Sequence, residues 1–240
     1  MSKRCCGYFE LPVIDYEKAR DLQLDLVEGR KSGRFSNDMV ILLEHSPVFT
    51  LGRRGKEEYL HVGRDFLDKK GISLVHAERG GFITYHAPGQ LIVYAVFDLG
   101  RIRLGVKDFI YKLEEVMLCC ARDEGVPAHR DPLNRGVWTG PRKLGSVGIA
   151  LRQGITFHGL ALNVALELAP FTWINPCGLK GLEMTSLQEE SANVVSVTGA
   201  RNRVKGHIEE IFNVELLAMT AAEAGYADNT GADRTRAGGL

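Results

Sequence analysis

A chain of 240 residues with 45% hydrophobic and 25% charged side chains has ordinary globular composition and enough length for one substantial core. Thirty Lys and Arg balance thirty Asp and Glu, so no summed positive field exists to hold a polyanion, and nucleic acid is not expected as a partner. Eighteen apolar residues never run together, and Glu10 and Asp15 interrupt the opening stretch before it reaches signal-peptide length, so neither a membrane span nor a secretory leader is expected.

In chain order, Tyr16 to Ser32 carries a helical stripe of Ala19, Leu22, Leu26 and Val27, with Gly33 as its stop. Residues 39–45, MVILLEH, read as a buried strand. A short helix over Asp65 to Lys70 ends at Gly71, and strands ISLVHA and LIVYAVFDL follow on either side of a glycine-rich stretch. Val106 to Glu124 repeats apolar residues every three or four positions, through Phe109, Leu113, Val116, Met117 and Cys120, and Gly125 closes it. Residues 137–166 alternate apolar runs with Thr-Gly-Pro and Gln-Gly turns, the pattern of a three-stranded antiparallel meander.

Glu167 to Leu187 lacks periodicity and reads as a long ordered loop, the kind that carries function. A last helix is expected from about Arg201 to Met219. Residues 1–220 are read as one catalytic domain and 221–240 as a disordered tail, because the small, polar ADNTGADRTRAGGL segment has too little to bury. Hairpin strands with helices inserted between them point to an α+β fold with a mixed, largely antiparallel sheet. The GxGxxG and P-loop fingerprints are absent.

The five cysteines, Cys5, Cys6, Cys119, Cys120 and Cys177, form an odd set without metal-ligand spacing, which suits reduced thiols in a cytoplasm. Cys119 and Cys120 sit in a helical pattern as small buried hydrophobes. Cys177 differs, because Pro176 and Gly178 flank it and favour an exposed side chain on a rigid turn. A free thiol of pKa about 8.5 is only a few per cent ionised at neutral pH. A cation about 4 Å away at an effective dielectric near 20 supplies roughly 4 kcal/mol, about three pK units, so one positive side chain suffices. Lys143, His86 and His158 are the candidates. Lys143 opens the strand KLGSVGIAL, where it can act as cation and, after losing a proton, as base; spacing alone does not choose it over His158.

Two further segments combine glycines, which let backbone approach a ligand, with polar side chains: RGGFITYHAPGQ (79–90) and RKLGSVGIALRQGITFHGLALNV (142–164). Taken with EHSPVFTLGRR (44–54) and INPCGL (174–179), these blocks resemble, in order and at similar separations over about residues 36 to 190, the lipoyl(octanoyl) transferases of the biotin/lipoate protein ligase superfamily. The resemblance implies a biotin/lipoate-ligase-like core. It also implies transfer of an octanoyl group from octanoyl-acyl carrier protein, through a Cys177 thioester, to a lysine of lipoyl domains on 2-oxoacid dehydrogenase E2 subunits and glycine cleavage H protein. On this reading Lys143 holds the thiol ionised and shuttles protons.

The same likeness assigns the acyl cleft to Arg79, Gly80, Gly81, Phe82, Ile83, Thr84, Tyr85 and His86, with Ser146, Val147, Gly148, Gly159, Leu160 and Ala161. His45, Gln90 and His158 stand in support, and backbone N–H groups near Gly148 or Gly178 face the oxyanion. Leu144, Val147 and Ile149 are expected to offer an apolar face to the chain. No metal, nucleotide or other cofactor is implied. The block YHAPGQ departs from the family's usual YHGPGQ and puts a methyl at Ala87. The competing readings are an ATP-dependent lipoate or biotin ligase, a non-catalytic docking module for lipoyl domains or carrier proteins, and a cysteine hydrolase.

Overall fold

Strand pairing sets the architecture of the computed structural model, which describes residues 3–175 and 181–226. β1 (Arg4–Ile14) leads through α1 (Tyr16–Ser32) to β2 (Asp38–His45) and β3 (Val48–Leu51). Next come α2 (Arg64–Lys70), β4 (Ser73–His76), β5 (Ile83–His86) and β6 (Gln90–Val96), then α3 (Leu99–Ile102) and α4 (Val106–Asp123). The meander is β8 (Val137–Thr139), β9 (Arg142–Arg152) and β10 (Ile155–Asn163), preceded by the short β7 (His129–Arg130). α5 (Leu187–Glu190), α6 (Val197–Ile211) and β11 (Val214–Ala218) complete the described chain.

Eight strands form one sheet in the order β11-β1-β2-β6-β10-β9-β8-β7, and β4-β3-β5 form a second. β1 pairs in parallel with β2 and β11, and the remaining neighbours in the large sheet are antiparallel. The α+β expectation of a mixed, largely antiparallel sheet therefore holds.

Helix ends follow local chemistry. Asp15 Oδ1 accepts from the Glu17 and Lys18 N–H groups at 2.9 and 3.2 Å, capping α1, and Gly33 ends it at φ 81°. β6 is a continuous apolar run because both faces of the sheet are covered. Leu91, Val93 and Phe97 join Leu160 and Leu162 against α4 and α6, while Ile92, Tyr94 and Ala161 face α1 through Leu22 and Leu26. Cys120 is packed in the first of these cores, and burial pushes its thiol up to about 12, in keeping with a structural role.

Three stretches differ from the expectations. The last helix stops at Ile211, where Phe212 caps it and Asn213 adopts φ 52°; residues 214–218 then extend as β11 and add to the free edge of β1. A Leu-rich pattern there satisfies either period, and pairing with an open edge decides. Residues 221–226, placed above in the tail, form a turn whose Ala224 is buried and whose Ala221 and Tyr226 pack on the α1-side core; residues 227–240 lie outside the described residues. The long loop begins with a 3₁₀ turn at Ala169–Trp173. Among the described residues no helix is long and apolar enough to cross a membrane, and no cluster of side chains is arranged to hold a metal.

The closest backbone approach in the sheet tests this packing. A Cβ on Gly159 would stand 2.1 Å from the Val93 carbonyl oxygen of β6, whereas one on Gly206 in α6 would meet nothing within 4 Å. Gly159→Ala should lower stability by about 3 kcal/mol in urea melts. Gly206→Ala should raise it by about 0.5–1 kcal/mol.

Candidate active site

The register of β6, β10 and β9 creates a trough on the α1 side of the large sheet. Ile92 lies beside Ala161 and Ala161 beside Ser146; in the next row Tyr94 lies beside Gly159 and Gly159 beside Gly148. Such small residues leave the face unfilled where β-branched ones would close it. Residues 79–84 roof the trough, tied down by Gly80 N–H donating to Ile149 O at 2.9 Å. The cleft between encloses about 270 Å³.

Lys143 lines one end of this cleft. It is only 2% exposed, its Nζ donates to Arg135 O at 2.7 Å, and it lies 5.2 Å from the centre of the Trp138 ring. A strand-opening lysine is usually solvated; here the Asn134–Gly136 turn folds over it. Gly136, at φ 114°, passes so close that a Cβ would meet Lys143 Cε at 2.9 Å and Gly145 O at 2.3 Å. The buried Glu114 of α4 holds this turn by accepting from Gly136 N–H at 2.9 Å. The long loop returns alongside, with Lys143 N–H donating to Glu183 O at 2.9 Å and Thr185 N–H to Lys143 O at 3.0 Å. Its earlier part is fastened by Asn175 N–H to Tyr59 O at 2.8 Å. Cys177 and Gly178 lie outside the described residues.

A buried polar chain runs beneath the cleft. Arg79 Nη2 donates to Thr50 Oγ1 at 2.7 Å, and Thr50 Oγ1 lies 3.3 Å from His86 Nε2. His86 Nδ1 is 2.7 Å from Gln90 Oε1, which makes Nδ1 the protonated nitrogen and Nε2 the acceptor from the Thr50 hydroxyl. Gln90 Nε2 donates to Asn163 Oδ1 at 2.8 Å, and Asn163 Nδ2 to Thr185 O at 2.8 Å, reaching the loop beside Lys143. At the far end, His45 Nδ1–H donates to Ile14 O at 3.0 Å and Nε2 accepts from the Tyr94 hydroxyl at 2.6 Å. His158 adopts φ 59° within β10, and its backbone N–H is bonded to Gln23 Oε1 at 2.6 Å.

Of the residues expected in the cleft, 79–84, His86, 146–148 and 159–161 line it, together with Lys143 and His158. Tyr85 does not: alternation along β5 turns it away, onto Phe49 and Phe171 at ring distances of 5.0 and 5.6 Å. Leu144 and Ile149 also face away, into the core under α4, leaving Val147 as the lining member of that expected apolar trio. His45 and Gln90 reach the cleft only through Tyr94 and His86. Ala87 packs against the Phe49–Phe171 cluster, so its extra methyl is absorbed there. Sequence reasoning missed Tyr16, Ile92, Tyr94, Arg135 and Met184 as lining residues. Tyr16 read as a helix start and Tyr94 as a strand aromatic, and neither carries a local signal of its outlook.

Burial keeps the histidines neutral. It lowers His45 to about 4, lowers His158, and, reinforced by His45 and Arg79, holds His86 well below its ordinary value. Between about 6.5 and 4 the unfolded chain binds protons at His45 that the folded chain does not, so this contribution is complete above about 6.5 and lost as pH falls through that window. Urea midpoints should therefore fall from pH 7 to 4. His45→Gln should be less stable at pH 7 but lose stability less steeply, by about 1.4 kcal/mol per pH unit inside the window.

Residues 15–209 match the lipoyl protein ligase A/B catalytic domain. The chain is 42% identical over 205 residues to an octanoyltransferase of Desulfotalea psychrophila, covering 85% of this chain and 92% of that one. In three dimensions it is similar to a putative lipoate protein ligase of Thermoplasma acidophilum with bound lipoic acid (TM-score 0.71, 18% identity, 94% of this chain and 92% of that one). It is likewise similar to the bipartite lipoate protein ligase of an archaeal lipoylation system from T. acidophilum, described with its E2 lipoyl domain (TM-score 0.68, 16% identity, 94% and 90% covered). Those solved structures establish the shared fold, while the family match and the sequence relative establish kinship: the chain belongs to the lipoyl protein ligase A/B catalytic-domain family and, within it, to the octanoyltransferases.

Proposed function

We propose that this octanoyltransferase takes its acyl group from octanoyl-acyl carrier protein onto Cys177 and passes it to a lysine of lipoyl domains. The observation that carries this reading is Lys143, a buried lysine side chain at the end of an acyl-sized cleft, with the returning arm of the Cys177 loop bonded along its strand. Cys177 is two residues from Asn175, which is fastened to Tyr59, and six from Glu183, which is fastened to Lys143. Lipoyl domains as acceptors are supported by the archaeal ligase described with its E2 lipoyl domain. The glycine cleavage H protein joins them as a carrier of the same lipoyl module. Free cysteines among the described residues fit a cytoplasmic setting.

In this mechanism the Cys177 thiolate attacks the thioester carbonyl, a sulfur–carbon bond forms, and the carrier thiol leaves with a proton from the Lys143 ammonium. The acceptor amine then attacks the acyl-enzyme. Neutral Lys143 removes its proton, the Cys177 sulfur–carbon bond breaks, and the thiolate–ammonium pair is restored. Of the two expected oxyanion donors, Gly148 lies five residues along β9 from Lys143, too far to meet a carbonyl reacting beside it, so the role falls to backbone N–H groups near Gly178. The buried chain from Arg79 to Thr185 holds the loop so that these groups stay in register.

Intact-mass measurement after mixing with octanoyl-acyl carrier protein tests the proposal. Wild type should gain one octanoyl group and Cys177→Ala none, while Lys143→Ala should acylate at least about a hundredfold more slowly. Acylation of Lys143→Ala at the wild-type rate, with loss in His158→Ala, would transfer the proton role to His158. Gly136→Ala, which crowds Lys143 Cε, should lower turnover by about tenfold or more with a smaller change in KM.

A further inference from the structure

We infer that Tyr16 and His158 form the end wall of the acyl cleft and set the length of chain that the enzyme transfers. This rests on the proposal that the acyl group starts beside Lys143 and lies along the trough. From Lys143 to Gly148 the strand advances five residues, about 16 Å at about 3.3 Å each. An extended octanoyl group spans about 9 Å over seven carbon–carbon bonds of about 1.5 Å each. Its methyl therefore ends over the Ser146 row, whereas a dodecanoyl chain, about 14 Å over eleven bonds, brings its methyl to the Gly148 row and against whatever stands there.

Rings stand there. The Tyr16 ring lies nearly parallel to both His86 and His158, with ring centres 6.3 and 6.4 Å away and planes within 8°. Tyr94 closes the corner, 5.8 Å from His158. His158 reaches this wall only because of its backbone. Its strand neighbours of like parity, Leu160 and Leu162, face α4, and the left-handed φ of 59° turns the histidine to the cleft side instead. A non-glycine residue held in that conformation within a strand is uncommon and concentrates at functional sites.

The wall is also polar in an unusual way. The Tyr16 hydroxyl and both ring nitrogens of His158 are buried and meet no hydrogen-bonding partner; the nearest carboxylate oxygen, Glu78 Oε2, is 3.8 Å from Nε2. Buried polar atoms without partners are rare. A chain long enough to reach these rings meets a steric barrier, and an octanoyl methyl stops short of it.

The test compares transfer of octanoyl, decanoyl and dodecanoyl groups from their carrier-protein thioesters by the full-length protein. His158→Gly removes the ring at a φ that glycine adopts freely, and Tyr16→Phe deletes a single oxygen. The ratio of kcat/KM for dodecanoyl over octanoyl should rise about tenfold or more in His158→Gly and about threefold in Tyr16→Phe. If His158→Gly does not fold, Tyr16→Phe decides alone. Normal octanoyl transfer with the wild-type chain-length ratio in the folded variants overturns the wall alone. Failure of wild type to acylate Cys177 with any chain overturns the underlying mechanism, and this inference falls with it.

Discussion

A cleft on the face of a packed sheet survives only if side chains are missing where it runs and something rigid spans them. Here the omission is made at Gly148 and Ala161, and the span at residues 79–84, anchored to β9 by the Gly80 to Ile149 bond and to residues 52–54 by backbone bonds onto Phe82, Arg79 and Gly81. A Cβ on Gly148 would meet Arg79 and Gly80 of that roof at 3.2 Å, while Gly159 lacks one so that β10 can approach the Val93 carbonyl. Everything else in the site is arranged at the two ends of that trough.

At one end the structure spends polar groups to hold a loop. The run from Arg79 through Thr50, His86, Gln90 and Asn163 to Thr185 joins the small sheet, the large sheet and the returning loop through side chains that are almost wholly buried. Burying so many donors and acceptors is tolerable because each meets a partner, and a chain of amides has little freedom to choose another. Glu114 does the same for the turn over Lys143. The lysine is consequently enclosed from two directions by elements far apart in sequence. At the other end the Tyr16 hydroxyl is buried without a hydrogen-bond partner, and His158 Nε2 faces Glu78 Oε2 at 3.8 Å.

The comparison with lipoate protein ligases is instructive at this level. The same fold, at 16–18% identity, hosts proteins described as ligases and, in the sequence relatives, octanoyltransferases. What distinguishes a transferase from a ligase is therefore not the fold.

Much of this was legible without coordinates. Helix α1 from Tyr16 to Gly33 and the β8–β10 meander follow from caps, turn residues and period, because those are local interactions among near neighbours. The glycine-rich blocks marked the cleft, since backbone that must approach a ligand is recognisable from composition. Which way a side chain faces was not legible: Tyr85, Leu144 and Ile149 turn to the core, and Tyr16 and Tyr94 to the cleft. A one-residue bulge or a left-handed residue, as at His158, reverses the parity on which such readings depend. Nor was β11, whose extended form depends on an open edge of β1 about two hundred residues earlier in the chain. The sequence by itself determined most of the elements and the kinship and nominated the reactive side chains, whereas tertiary structure decided orientation and enclosure, because both arise from contacts between segments that the chain brings together only on folding.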